Sequence, residues 1–98
     1  MPYKLSVEAA LNLKDILKYG QLNFGERQAL KYQNSLKRVF ELLADMPSLG
    51  RKSERGAKNE HRFIHGKHVI YYSVASDRIL IENIIFGPII TDIWGEDL

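Results

Sequence analysis

Between Asn59 and Val74 the sequence reads NEHRFIHGKHVIYYSV, with three histidines, an arginine, a lysine and two tyrosines in one short stretch. Side chains of these types can cut RNA through its own 2′-hydroxyl. One group must take the 2′ proton, one must stabilise the pentacovalent phosphate, and one must protonate the leaving oxygen. The spacing argues against their working together. Side chains alternate between the two faces of an extended strand. His61, Phe63 and His65 therefore share one face, while Arg62 and Ile64 take the other. His68 stands across a tight turn at Gly66, close to His65. Tyr71 and Tyr72 point to opposite faces, one into a core and the other outward as a contact residue. No acid or cysteine completes a zinc set with His61, His65 and His68, so no metal is expected. Arg62 keeps two readings: an arginine that orders the 50–58 loop from a sheet edge, or an anchor for a partner.

The elements that must position these groups follow from periodicity. Tyr3-Lys4-Leu5 reads as a short edge strand. Ser6 is placed to cap a helix, with Glu8 in its first turn. Ala9, Leu13, Ile16 and Leu17 give that helix one apolar stripe, and Gly20 is expected to end it. Asn12, Lys14, Asp15 and Lys18 form its solvated face. Asn23 then caps a second helix, with Glu26 completing a capping box. Ala29, Tyr32, Leu36, Val39, Phe40 and Leu43 recur at three and four, and Pro47 and Gly50 end the run. The opposite face carries Arg27, Lys31, Lys37, Arg38 and Glu41. A short link at Gln21-Leu22 makes the two helices an antiparallel hairpin. Ser48 to Asn59 is a polar loop. Strands are expected over Glu60–His65, His68–Val74 and Arg78–Phe86, a meander. The last of these, ILIENIIF, is apolar on both faces apart from Glu82 and Asn83, so one face should meet the helices and the other a partner.

Ninety-eight residues with 45% hydrophobic and 27% charged residues suit one folded domain over 1–98, with 88–98 as a C-terminal tail. There is no cysteine, which excludes a disulfide framework and a thiol nucleophile. The start, MPYKLSVEAA, lacks the apolar core of a signal peptide, and no apolar run reaches membrane-spanning length. The expected compartment is the cytoplasm, with no membrane contact. The net charge of +2 is unevenly placed. From Gly50 to His68, six cations (Arg51, Lys52, Arg55, Lys58, Arg62, Lys67) face two acids, a net of +4, whereas Pro88 to Leu98 carries −3. A basic middle suits an anionic partner. The basic loop has no interleaved aromatics, which argues against a single-strand stacking surface.

Three phrases, YKLSVEAALNLKDI, FGERQALKYQNSLKRVFELLADMPSLGR and HRFIHGKHVIYYSV, followed by ILIENIIF, resemble the ParE/RelE superfamily of bacterial toxins over residues 3–86. The most specific part is an FG-x-x-QA-x-x-Y helix start with a P-x-LGR exit, which is similar to the ParE branch. The resemblance implies an α+β fold: a short N-terminal strand and an antiparallel helix hairpin packed on a mainly antiparallel three- to four-stranded sheet. It also implies the toxin of a type II toxin–antitoxin pair, which poisons DNA gyrase without being an enzyme. A ParD-type antitoxin would hold it as a hetero-oligomer, with DNA contacted indirectly through that antitoxin.

The alternative is a ribosome-dependent mRNA endonuclease of RelE type, with Arg62 on phosphate and His61 or His65 as acid or base. Such enzymes resemble one another in placing a basic group and a tyrosine after the last strand. Here no tyrosine, lysine, arginine or histidine follows Arg78. No catalytic residue and no cofactor are therefore expected. A degenerate, non-toxic member is the third reading. The expected contact residues, for antitoxin or target, are Arg51, Arg55, Arg62 and Lys67 for polar contacts and Ile85 and Phe86 for apolar ones. An apolar sheet face beside a basic loop suits an acidic amphipathic peptide, which favours the antitoxin.

Overall fold

The chain begins as strand β1 (Tyr3–Leu5) and enters helix α1 (Val7–Phe24) at Ser6. The Ser6 hydroxyl accepts the Ala9 N–H at 2.9 Å and donates to the Glu82 carbonyl at 2.8 Å. One side chain thus caps the helix and pins it to the last strand. A computed structural model describes residues 1–87; the segment 88–98, read above as a tail, lies outside the described residues.

Gly20 does not end α1. The helix runs past it to Phe24, and Gly20 lies close against the second helix. A Cβ built there would stand 3.0 Å from that of Ala29. The break falls instead at Gly25, whose φ of 88° is a conformation that favours glycine. Helix α2 (Glu26–Asp45) starts at once. Asn23 is therefore not a cap: it lies inside α1, where its amide donates to the Tyr19 carbonyl at 2.8 Å. The apolar stripe of α2 is buried as its spacing requires, through Ala29, Leu36, Val39, Phe40 and Leu43.

A 3-10 turn (Pro47–Leu49) leads to β2 (Arg51–Lys52), then β3 (Glu60–His65), β4 (His68–Val74) and β5 (Ile79–Phe86). The sheet has five strands in the order β1-β5-β4-β3-β2. It exceeds the three to four expected because two residues of the polar loop pair with β3 as β2. Arg51 lies opposite Arg62, and Lys52 opposite His61. The pairs β2–β3, β3–β4 and β4–β5 are antiparallel, while β1 joins the far edge parallel to β5.

Strand β5 resolves its own ambiguity with a bulge. Tyr71 pairs with Asn83 and Tyr72 with Ile81, so Glu82 is the extra residue. The insertion swaps the faces downstream of it. Ile79, Ile81 and Ile84 can then all enter the core, which a strict alternation would forbid. Asn12, expected to be solvated, accepts the Ile84 N–H at 3.0 Å beside this bulge. The core lies between the hairpin and one sheet face and includes Leu36, Phe40, Leu43, Ile70 and Tyr72, each fully buried. Each such side chain contributes about 1.5–3 kcal/mol of burial.

Candidate functional site

The alternation read from the sequence holds. His61, His65 and His68 lie on the helix-facing side of the sheet, and Arg62 on the other. The histidines are held by the core. His61 stacks on the ring of Tyr72 at 5.5 Å. His65 lies against Tyr32, with its Nε2 3.0 Å from the Ser35 hydroxyl. His68 places Nδ1 2.7 Å from the Tyr32 hydroxyl. That same hydroxyl takes the Lys67 N–H at 3.3 Å and reaches the His65 carbonyl at 3.2 Å. Tyr32 therefore joins α2 to the β3–β4 turn at four points of contact with three consecutive elements of the hairpin: strand end, turn and strand start.

Burial lowers the pKa of His65 below its ordinary value. Burial, and then the nearness of His65, does the same to His68. Burial raises the pKa of Tyr32, against the Lys67 N–H, which lowers it. The neutral form is thus favoured at His65 and His68, and Arg62 lies on the other face of the sheet.

On the opposite face the main feature is a latch. The Arg55 guanidinium grips Glu60 with both oxygens engaged, Nε to Oε1 at 2.9 Å and a terminal nitrogen to Oε2 at 2.6 Å. It also covers the Tyr71 ring at 3.6 Å and reaches Asn83 at 3.1 Å. The Ser53 hydroxyl donates to Glu60 at 2.8 Å. The hydrogen bonds from Arg55, against burial, hold the Glu60 carboxyl down at about 2. Glu82 beside it is raised, by burial first and by its hydrogen bond with Glu60 second. Fork-shaped arginine–carboxylate pairs of this kind are among the stronger polar contacts.

The six residues singled out from the sequence fall into two groups. Arg62 is buried on the latch face beside Tyr71, its cross-strand partner, with exposed Arg51 on its other side. Arg55 is occupied by the latch. Ile85 is half-buried on this face, where Val69 and Tyr71 are buried and Ile64 is exposed. Lys67 and Phe86 are exposed at the other site, near the β3–β4 turn, where Phe86 meets His68 edge-on at 5.7 Å.

That second site is a groove of about 820 Å³ between the helix hairpin and the end of the sheet. Tyr19, Phe24, Tyr32, Ile84 and Phe86 give it apolar walls, and Asp15, Lys31 and Lys67 stand among its lining. Tyr19 and Phe24 were missed in the sequence because they lie outside the core stripe of α1. Their signal was two aromatics five residues apart next to a glycine joint. Both are exposed and meet edge-on at 6.3 Å. No group of three or more metal-ligating side chains occurs among the described residues.

Known proteins share this sequence pattern and this fold. A family model described as the ParE toxin of the type II toxin–antitoxin system parDE matches residues 3–85. The chain is 34% identical over 73 residues to Toxin ParE1 of Caulobacter vibrioides, covering 74% of this chain and 76% of that one. In fold it is similar to a chain of the chromosomal ParDE system from P. aeruginosa, with a TM-score of 0.75 and 18% identity, covering 89% of this chain and 96% of the other.

Proposed function

The chain belongs to the ParE toxin family of the parDE type II toxin–antitoxin systems, and on that premise we propose that it works by docking, as a poison of DNA gyrase held inactive by a ParD-type antitoxin. The observation that carries a docking mode is the groove. It is a large, mainly apolar concavity, flanked by exposed aromatics and with charges of both signs in its lining. Amphipathic helices lay their apolar face into grooves of this kind. The antitoxin segment fits here, with Lys67 and Phe86 among its contacts. Arg51, Arg62 and Ile85 then remain on the sheet's other face for the target. The cytoplasm, where gyrase and DNA are found, is the proposed compartment. The separation of Arg62 from the histidines supports a non-enzymatic mode over RNA cleavage.

Purified protein added to gyrase, ATP and plasmid should inhibit supercoiling and accumulate cleaved DNA. Cleavage of mRNA on translating ribosomes, with gyrase unaffected, would replace this reading with the endonuclease one. For the groove, Phe86→Glu should weaken antitoxin binding by at least tenfold in calorimetry, because it places a charge on an apolar contact. Undiminished affinity would move the antitoxin elsewhere.

A further inference from the structure

The exposed side of α2 carries a feature that neither the core nor the groove explains. Arg27, Lys31, Asn34 and Arg38 recur at four, three and four residues, so they form one line along the helix, about 16 Å long. All four are exposed. With Glu26 and Leu30 they line a shallow, open depression of about 540 Å³. The ion pairs among the described residues are Arg55–Glu60 and Arg78–Asp77, so no carboxylate of the described residues lies within pairing distance of these three cations.

Helix stability does not account for the arrangement. Arg27 and Lys31 are like charges one turn apart, which repel. Arg27 sits in the first turn, where the helix dipole disfavours a cation. Glu41 and Asp45 lie toward the other end, where it disfavours an anion. A negative partner would reverse the sign of the first two effects.

We propose that this stripe binds the phosphate backbone of duplex DNA directly. The stripe presents cations at intervals, with an amide between them that can also meet phosphate oxygens. No aromatic lines the depression, so the bases of a single strand would find nothing to stack on. Leu30 is its only apolar residue, too little for an amphipathic acidic peptide. Lys31 belongs to the lining of both this depression and the groove. DNA on the stripe would therefore lie beside whatever fills the groove.

The test needs neither gyrase nor antitoxin, so its failure is distinct from failure of the reading above. The full chain is titrated against a fluorescent 20-base-pair duplex, with anisotropy as readout. Three phosphate contacts predict a salt slope of about −2.7, or about a 40-fold loss between 50 and 200 mM salt. Arg27→Gln/Lys31→Gln/Arg38→Gln should flatten that slope and keep the wild-type thermal transition. Lys14→Gln/Lys18→Gln on α1 should leave binding unchanged. Absence of wild-type binding at 50 mM salt would overturn the proposal. So would equal loss in the two variants, or tighter binding of a poly-glutamate peptide than of the duplex.

Discussion

Tyr32 ties the hairpin to the sheet through one oxygen. Its hydroxyl contacts His68, Lys67 and the His65 carbonyl, so Tyr32→Phe removes all three at once. The expected loss is about 1–2 kcal/mol in urea denaturation, since three bonds, two of them part-buried, are lost. The histidines beside it set a pH dependence. Both have folded-state pKa values below the ordinary 6.5. The unfolded chain therefore binds their protons first, and stability falls as the pH drops through 6.5. Urea midpoints should be lower at pH 5.5 than at pH 7.5, and His65→Gln/His68→Asn should narrow the gap. Glu60 acts in a separate, lower window. Its carboxyl is held at about 2 against an ordinary 4.5, so its contribution is complete above 4.5 and lost toward 2. Arg55→Ala would strand this buried carboxylate. The expected cost is about 2–3 kcal/mol, moderated because the arginine itself is partly exposed to water.

Glycines decide how the helices meet. Gly20→Ala would normally strengthen a helix, but here its methyl would stand 3.0 Å from the Ala29 Cβ. The helices must part, and a net loss of about 1 kcal/mol is expected in thermal unfolding, contrary to the usual gain from the same exchange in an exposed helix. Sequence periodicity revealed what local physics controls: the buried stripe of α2, the capping by Ser6, and the three strands of the meander. The features it did not reveal depend on distant partners. Nothing near Gly20 announces Ala29 across the hairpin, and the bulge at Glu82 appears only when β4 supplies Tyr71 and Tyr72 as partners. The pairing of Arg51 and Lys52 is equally invisible without β3. The residues that carried the family resemblance turn out to serve the fold. Gly25 forms the joint, Ala29 the crossing, and Tyr32 the clamp. The Pro47 carbonyl and the Gly50 N–H both bond the Tyr72 hydroxyl, at 2.7 and 2.9 Å. That is why recognising the family was easier than locating the site. The groove mixes stripe residues such as Ile16, Ala29 and Tyr32 with others outside the stripes such as Tyr19 and Phe24, and Lys67 and Phe86 were the only two of its lining among the six named beforehand.

At the scale of the molecule, three surfaces face different ways. The groove opens at the hairpin end, the latch lies on the far side of the sheet, and the cationic line runs along the outside of α2. On the proposals above, an antitoxin, a target and DNA would each meet a different surface, with Lys31 shared between two of them. No helix among the described residues is long and apolar enough to cross a membrane. One detail of the topology bears on how the protein comes into being. Strand β1 is synthesised before the other strands, yet among the described residues its strand partner is β5, and the Ser6 N–H reaches the Ile81 carbonyl at 2.9 Å. Until the eighties of the chain have left the ribosome, the opening residues have no neighbour to pair with. The sheet edge that β1 forms is therefore completed only once β5 is available.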